Sequence, residues 1–518
     1  MNPIEFISAG AGSGKTYRLT TILSEALASG AARPSGVVAM TFTLKAAAEL
    51  RQRARKALLD QGRLDLSTAI GQSRIGTVNA VCNQLLQRHC FELGHSPDQT
   101  VLSEAQSMQM LRRALEEVLD PTQRDALVRF GDRFDLERSD WDKPVRLIVD
   151  AARANGIDAA TLKGMGPTNA NVMLANWPAP AGVGPSLTAQ LVAAMAAATV
   201  AVERHVEEVR ATGTEPQQNT QGALEELRKC RKDFADGTWM WKQWVSLCQL
   251  NAGAKLRAVV QPVVDAAAAH EQHPEFHDDV RQYLSLVYEL AALALASYEE
   301  AKRDAGAQDF TDQEMLFLRA LHESESVRAA LAESLDLVLV DEFQDTSPIQ
   351  LAVFVELAKL AKRSVWVGDP KQAIYGFRGT DSGLIASVLD AIPSWGGSMG
   401  APLTESRRSV PSLVKLVNQA FIPAFPKLKP EAIQLTPVRT EHSTQPSLVT
   451  WSLGSRNVQE DFYALGAALT ELLASGLQVQ ERETEVWRAA EPGDIAVLCR
   501  YNYHIELPAV LRLPRVDG

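Results

Sequence analysis

The residues best suited to chemistry form a glycine-rich loop near the amino terminus, with the sequence AGAGSGKT. An apolar run at residues 4–8 precedes the loop, and a helical pattern from about Thr16 to Ser29 follows it. In such a strand, loop and helix, backbone N–H groups hold phosphates, Lys15 reaches the terminal phosphates and the Thr16 hydroxyl binds Mg²⁺. The pattern predicts a nucleoside triphosphate site. Its residues are Ala9, Gly10, Ala11, Gly12, Ser13, Gly14, Lys15 and Thr16.

An acidic segment, DEFQD at residues 341–345, directly follows an apolar run at residues 335–340. Carboxylates at the carboxyl end of a buried parallel strand lie where ligands bind in open α/β sheets. Asp341 is therefore the candidate for holding Mg²⁺, and Glu342 for polarising the attacking water. An acidic turn after a strand is also common as a solvated loop. The phosphate loop favours the catalytic interpretation.

A third segment, VGDPKQAIYGFRG at residues 367–379, combines an amide, two aromatic rings and a cation. Gln372 is placed to contact a terminal phosphate. Tyr375 and Phe377 are candidates for stacking on unpaired nucleic-acid bases, at about 1–3 kcal/mol per base, with Arg378 as a nearby cation. Taken singly, each aromatic residue is as well explained as a core residue.

A parallel sheet with crossover helices is needed to bring these segments together. Strand-like runs alternate with helical stretches from residue 4 to 90, including a strand at 37–42 and a helix at about 45–59. Long helical segments rich in Ala, Leu, Glu and Arg follow from about 105 to 300, with loops predicted at 169–185 and 212–221. Strands return at 335–340 and 364–367. The order predicts an α/β fold with an inserted helical domain.

A second α/β domain is predicted after about residue 400. Two strand-like runs, at 447–453 and 494–499, lie on either side of a helical pattern from about Gln459 to Ser475.

Composition limits the class of protein. A chain of 518 residues exceeds one core and predicts three or four domains of about 150 residues. No long apolar run and no amino-terminal signal pattern is visible, which predicts a cytoplasmic protein without a membrane partner. The net charge of −11 does not exclude a polyanion, because nucleic-acid motors place cations and aromatic rings locally in a groove. Five scattered cysteines indicate reduced thiols rather than a metal site.

Five segments resemble, in order, the motifs of superfamily 1 helicases of the UvrD/Rep family. The helical insert and the amino-acid sequences of two of these motifs resemble the RecB/AddA recombination subunits more closely. A further segment, GAQDFTD at 306–312, is similar to the family's G-x-x-DF-x-D signature. The five segments are AGAGSGKT (9–16), TFTLKAAAEL (41–50), DEFQDTSPIQ (341–350), VGDPKQAIYGFRG (367–379) and ESRRS (405–409).

The resemblance implies a RecA-like P-loop NTPase that uses ATP and Mg²⁺. The first RecA-like domain would comprise residues 1–105 and 301–400, the inserted all-helical domain 106–300, and the start of a second RecA-like domain 401–518. That second domain is expected to be incomplete, because the family's later motifs have no counterpart in this sequence.

Residue roles also follow from the resemblance. Single-stranded DNA would contact Phe42, Thr43, Tyr375, Phe377 and Arg378. Catalysis would rest on Lys15, Glu342, Gln372 and Arg408, the last as an arginine finger on the γ-phosphate.

Two departures from the family's pattern concern the nucleotide. The glutamine-containing segment that recognises adenine has no counterpart upstream of the phosphate loop, so nucleotide selectivity stays open, and Tyr17 is an alternative stacking face. The aromatic residue usual before the motif arginine is Arg407, whose guanidinium plane can also stack on a base.

The resemblance predicts an ATP-dependent DNA helicase or translocase that moves 3′ to 5′ on single-stranded DNA in repair or recombination. It would act on single-stranded DNA and duplex ends with a RecB/AddA-type partner subunit. The alternative is a truncated subunit that binds nucleotide and DNA without autonomous helicase activity. A small-molecule P-loop kinase is disfavoured, because such an enzyme has no need of DEFQD followed by an aromatic and cationic loop.

Overall fold

Two compact units make up the described chain. The first contains residues 4–8 and 16–401, and the second contains 9–15 and the residues from 402 onwards. The computed structural model describes residues 4–94, 96, 98–136, 141–181, 186–373, 381–426, 428–440, 446–452, 458–481 and 486–498.

Short strands and many helices alternate along the described residues. The strands are β1 (Ile4–Ser8), β2 (Val37–Thr41), β3 (Arg74–Thr77), β4 (Thr100–Val101), β5 (Ala307–Gln308), β6 (Leu337–Val340), β7 (Arg363–Gly368), β8 (Ser398–Met399), β9 (Glu405–Ser406), β10 (Thr436–Pro437), β11 (Gln478–Gln480) and β12 (Trp487–Ala489). The helices are α1 (Lys15–Ala28), α2 (Leu44–Asp60), α3 (Leu64–Ala69), α4 (Val78–Arg88), α5 (Glu104–Val118), α6 (Pro121–Phe134), α7 (Lys143–Ala154), α8 (Ala159–Leu174), α9 (Leu187–Ala211), α10 (Gln218–Ala235), α11 (Trp241–Leu247), α12 (Arg257–Ala268), α13 (Pro274–Asp304), α14 (Phe310–Glu323), α15 (Glu325–Ser334), α16 (Pro348–Leu360), α17 (Ser382–Ala391), α18 (Pro411–Ala424) and α19 (Val458–Ala474).

A six-stranded sheet forms the centre of the first unit, in the order β3-β2-β6-β7-β1-β8. Every pairing in this sheet is parallel. All residues of β2 and β6 are buried, as expected when helices cover both faces of a parallel sheet. The parallel sheet predicted from the alternation of strands and helices is confirmed.

Apolar side chains from the sheet pack with those of neighbouring helices in a large buried cluster. Phe343 stacks on Trp366 with ring centroids 4.9 Å apart, and Phe6 meets Phe343 edge to face at 5.7 Å. The same cluster takes Leu357 from α16 and Leu85 from α4. Burial of these side chains fixes the strand ends that carry the polar motifs.

Helices α5 to α13 separate the first three strands of the sheet from β6. Their apolar residues gather in two clusters, one among α9, α10, α11 and α12 around Trp244, the other along α13 against α5, α7 and α8. Of the described helices, only α9 is long and apolar enough to cross a membrane by length and composition. Its Leu191 and Met195 are buried in the Trp244 cluster.

The loop predicted at residues 169–185 is wrong in its first part, because α8 continues to Leu174. Asn169 donates a hydrogen bond from Nδ2 to the hydroxyl of Tyr288 at 2.9 Å, and Ala170 is buried. A Cβ on Gly166 would lie 3.0 Å from Tyr288 Cβ, so α8 and α13 pack closely there. This packing outweighs the weak helix propensity of the Asn- and Gly-containing stretch.

The second unit contains two small sheets, β9 with β10 in parallel and β11 with β12 antiparallel. The helix predicted at about 459–475 is confirmed as α19. The strands predicted at 447–453 and 494–499 are wrong for their described residues, which form none. Leu448 and Leu498 are exposed there. An apolar run becomes a strand only where another strand pairs with it, and the described residues supply no such partner.

Candidate nucleotide site

Three neighbouring strands end at one edge of the sheet, and each is followed in the sequence by one of the polar motifs. In the register of the parallel pairs, Ser8 at the end of β1 lies opposite Gly368 at the end of β7, and Val340 at the end of β6 lies opposite Trp366. The phosphate loop follows β1, the acidic segment follows β6, and the Gln372 segment follows β7. The segments predicted to do chemistry therefore leave the sheet at the edge where open α/β sheets bind ligands.

The phosphate loop has a tight internal turn. Ser13 donates to the carbonyl of Gly10 from its backbone N (3.2 Å) and its Oγ (2.8 Å). Gly12 and Gly14 have φ values of 73° and 93°, in the left-handed region that favours glycine. Helix α1 begins at Lys15, so the N–H groups of its first turn lack helical partners and suit an anion.

Arg408 lies against the phosphate loop within the second unit. The backbone N of Arg407 donates to the carbonyl of Gly12 at 2.9 Å. A Cβ built on Gly12 would lie 2.7 Å from Arg408 Cβ and 3.6 Å from Arg408 Nε. The residue predicted as an arginine finger is thus next to the loop predicted to hold phosphate.

The acidic segment continues the sheet and then turns sharply. Asp341 donates from its backbone N to the carbonyl of Met40 at 2.9 Å, and its Oδ1 accepts from the backbone N of Glu342 at 3.0 Å. Glu342 has φ 50° and ψ 46°, one of two non-glycine residues with positive φ in the described chain. A left-handed glutamate is strained and persists only where its surroundings hold it, a pattern that clusters at functional sites.

Gln372 is fixed by the residue that follows β7. Its Nε2 donates to Asp369 Oδ2 at 2.7 Å, and its backbone N donates to the Asp369 carbonyl at 2.8 Å. The ammonium group of Lys371 is 2.8 Å from the other oxygen of Asp369. Asp369 is 2% exposed, so this carboxylate is a buried anchor for the Gln372 amide.

The predicted magnesium ligands are the half-buried Thr16, in the first turn of α1, and Asp341. Among the described residues no group of three His, Cys, Asp or Glu side chains converges on a point where it would hold a metal. This donor set fits Mg²⁺, which commonly binds one or two protein oxygens and completes its shell with nucleotide phosphates and water.

Thr43, predicted to contact DNA, has a structural role in this conformation. Its Oγ1 accepts from the backbone N of Ala46 at 3.1 Å and caps the amino terminus of α2. Phe42 is half-buried, and Leu44 beside it is 74% exposed. The segment offers an apolar surface at the start of α2, with Thr43 partly committed to the cap.

The remaining predicted site residues divide into two groups. Tyr17 is exposed on the first turn of α1, directly after the phosphate loop. Tyr375, Phe377 and Arg378 lie outside the described residues.

The GAQDFTD segment forms a buried charge network at the start of α14. Arg153 of α7 binds Asp309 at 2.6 Å, Lys302 of α13 binds Asp312 at 2.6 Å, and the Tyr298 hydroxyl donates to Asp309 at 2.7 Å. Burial raises the pKa of Asp309, but the two cations outweigh it and hold that pKa well below its usual range. The signature segment thus joins the start of α14 to α7 and α13.

Comparison with known proteins bears on the family of the chain. Residues 2–393 match the family model of the UvrD/REP helicase N-terminal domain. The chain belongs to the UvrD/Rep helicase family. The resemblance predicted from the motifs is confirmed.

The relatives of this chain include subunits named as helicase/nuclease subunits and as RecB. The chain is 26% identical over 472 residues to an ATP-dependent helicase/nuclease subunit of Pelotomaculum thermopropionicum, covering 80% of this chain and 37% of that protein. It is 24% identical to the corresponding subunit of Syntrophomonas wolfei over 80% of this chain and 36% of the relative. A 129-residue stretch, 25% of this chain and 12% of the relative, is 36% identical to the RecBCD enzyme subunit RecB of Mycobacterium tuberculosis. The chain therefore spans little more than a third of the length of the two helicase/nuclease subunits.

Sequence reasoning missed two buried residues within the segments of the candidate site. Gln344 and Asp369 are each 2% exposed and are joined by a 2.8 Å hydrogen bond from the Asp369 backbone N to Gln344 Oε1. Gln344 lies in the DEFQD segment and Asp369 in the VGDPKQAIYGFRG segment. The residue spacing in these segments does not indicate which polar side chains will be buried.

Proposed function

We propose that this chain is the ATPase part of an ATP-dependent DNA helicase that translocates 3′ to 5′ on single-stranded DNA in repair or recombination. One observation carries the proposal. Three adjacent parallel strands are each followed, at their carboxyl ends, by one of the segments assigned to chemistry: the phosphate loop, Asp341 with Glu342, and Gln372. We assign ATP binding and hydrolysis to these three segments.

Nucleotide binding is assigned to residues 9–17. The backbone N–H groups of the loop and of the α1 amino terminus hold the phosphates of ATP, and Lys15 binds the terminal phosphates. Thr16 and Asp341 hold Mg²⁺, which neutralises phosphate charge.

Hydrolysis is assigned to three side chains around the terminal phosphate. Glu342 orients and deprotonates the attacking water, and the Gln372 amide contacts the γ-phosphate. Arg408 stabilises the charge that develops on the transferred group. The close approach of Arg408 to Gly12 supports this role.

DNA binding is assigned to the segments that follow β2 and β7. Phe42 and the exposed start of α2 would meet the strand, together with Thr43, Tyr375, Phe377 and Arg378. Base stacking on aromatic rings does not depend on sequence, which suits a motor that must travel along any strand.

A domain division and a setting accompany this function. Residues 1–105 and 301–400 form a first RecA-like domain, 106–300 an inserted helical domain, and 401–518 the start of a second RecA-like domain. The protein works in the cytoplasm on single-stranded DNA and duplex ends, beside a partner subunit of the kind implied by relatives named as subunits.

The test is steady-state ATP hydrolysis with and without single-stranded DNA. DNA should stimulate hydrolysis, and Lys15→Ala should lower kcat by about 10²-fold or more, because the cation on the terminal phosphates is lost. The matched control is Lys163→Ala, whose side chain is 62% exposed on α8 and whose loss should leave hydrolysis unchanged. DNA-stimulated hydrolysis that survives Lys15→Ala would refute the proposal.

Strand separation tests polarity. A duplex with a 3′ single-stranded tail should be unwound, and one with a 5′ tail should not. Nucleotide and DNA binding without unwinding would favour the alternative of a binding subunit, and ATP hydrolysis indifferent to DNA would favour a small-molecule kinase.

A further inference from the structure

A buried glutamine connects two segments of the proposed ATPase site. Gln344 is 2% exposed, and its Nε2 donates to Glu342 Oε2 at 2.8 Å and to Asp345 Oδ2 at 3.2 Å. Its Oε1 accepts from the backbone N of Asp369 at 2.8 Å. The amide therefore uses its donor group on the acidic segment after β6 and its acceptor on the turn after β7.

Close packing fixes this amide. A Cβ on Gly368 would lie 2.7 Å from Gln344 Oε1 and 3.1 Å from Phe343 Cβ, so a side chain at the end of β7 would displace the Gln344 amide. On the other side, Phe343 is fully buried and stacked on Trp366. A side chain held so tightly passes small movements of one strand end to the other.

The contact continues beyond Asp369. The carboxylate of Asp369 accepts from Gln372 Nε2 at 2.7 Å and binds the Lys371 ammonium at 2.8 Å. An unbroken path of hydrogen bonds thus runs from the Glu342 carboxylate through Gln344 and Asp369 to the Gln372 amide. Its two ends are the side chains assigned to the attacking water and to the terminal phosphate.

We propose that Gln344 is a positioning residue that holds the Glu342 carboxylate in place and joins it, through Asp369, to Gln372. It does not touch the nucleotide. The left-handed backbone of Glu342 needs such a restraint, since a free glutamate would relax to a more common conformation. The effect of Gln344 on ATP hydrolysis rests on the proposed function, whereas the contacts of its side chain are observed in the structure.

The first experiment separates turnover from binding. Gln344→Met keeps the volume and removes all three hydrogen bonds. It should lower kcat for ATP about 10- to 100-fold, because misplacing a reacting group costs this much, while the affinity for the analogue AMP-PNP changes less than about twofold. A fall in affinity that matches the fall in kcat, or an unchanged kcat, would overturn the proposal.

Gln243→Met is the matched control. Gln243 is also buried, its Oε1 accepts from the backbone N of Met240 at 2.9 Å, and its Nε2 donates to Asp233 at 2.6 Å. Gln243 belongs to α11, one of the helices between β3 and β6. This variant should lower the melting temperature as Gln344→Met does, but leave kcat unchanged. Equal losses of kcat in both variants would reduce Gln344 to a stability role and overturn the proposal.

A second experiment tests the contact without any turnover. Gln344→Glu sets a carboxylate against those of Glu342 and Asp345, and adding Glu342→Gln restores an amide opposite the first of them. The double variant should melt at least about 2 °C above Gln344→Glu alone. Additive losses would disprove the contact. Restored melting in a chain whose parent does not hydrolyse ATP would refute the proposed function while supporting the positioning contact.

Discussion

At the scale of single residues, Gly12 is the point where the phosphate loop has no room for a side chain. Its φ of 73° disfavours any residue with a Cβ, and Arg408 occupies the space that a Cβ would need. Gly30 has the same backbone conformation, with φ 76°, but nothing lies within 4 Å of its Cβ position. Substituting Gly30 therefore tests the effect of backbone strain alone, whereas substituting Gly12 tests strain together with steric exclusion by Arg408.

Gly12→Ala is expected to weaken AMP-PNP binding by about tenfold or more, because Arg408 or the loop must move. Gly30→Ala should cost only the backbone term of about 1–2 kcal/mol and leave the affinity unchanged. Equilibrium titration gives the affinity and thermal melting gives the stability. Equal affinities for the two variants would show that contact with Arg408 does not shape the loop.

Residue types and spacing were sufficient to predict where Lys15 and Asp341 lie, because a strand followed by a particular polar pattern fixes both position and chemistry. The same reasoning could not predict that Thr43 caps α2, or that Gln344 is buried between two strand ends. Those outcomes depend on which neighbours the fold brings up to a side chain. The roles assigned to the site residues remain predictions.

At the scale of elements, three helices meet at a buried carboxyl group. Glu314 of α14 accepts from Gln350 of α16 at 2.7 Å, and Asn79 of α4 lies close enough to favour the ionised form of the same carboxyl group. Burial raises the pKa of Glu314 to about 7, although the interactions with Gln350 and Asn79 oppose the shift. Near neutral pH this packing junction therefore changes its charge.

Glu314→Gln should stabilise the protein at pH 8 and have little effect at pH 5. The folded pKa lies above the ordinary value of 4.5, so the parent loses stability as the pH rises through about 7, by about 2–3 kcal/mol. Glutamine keeps the oxygen that accepts from Gln350 and does not ionise. Thermal melting at both pH values measures the difference.

The control for this variant is Glu323→Gln, at an exposed position on the same helix. It should not alter the pH dependence. If the parent and Glu314→Gln differ by the same amount at pH 5 and pH 8, the carboxyl group does not titrate in this range.

Strands and long helices were predictable where burial on two faces left an uninterrupted apolar run, as in β2 and β6. The end of α8 was not, because contact with Tyr288 decides it and no local signal records that contact. The strand predictions at 447–453 and 494–499 failed for the related reason that strands need partners. The local sequence pattern predicts whether a segment has the periodicity of a helix or a strand, and tertiary contacts decide where that element begins and ends.

At the scale of the whole molecule, ligand binding should be visible as stability. At AMP-PNP concentrations about 100-fold above the dissociation constant, with Mg²⁺, the folded chain should gain about 2.7 kcal/mol. Chelating Mg²⁺ should remove most of the gain, since the metal neutralises the phosphates, and Lys15→Ala should abolish it. The change in melting temperature measures each case, and the same gain in Lys15→Ala would place the ligand elsewhere.

The order of the central sheet has a consequence for how this protein is made. Strand β1 lies between β7 and β8, and β2 gains its second neighbour only with β6. A ribosome adding about 5–20 residues per second needs roughly 15–50 s to pass from the end of β3 to the start of β6. During that time β1 and one edge of β2 have no sheet to join, and unpaired apolar strands are prone to aggregate. Nascent chains of this protein should therefore depend on chaperones until β7 emerges.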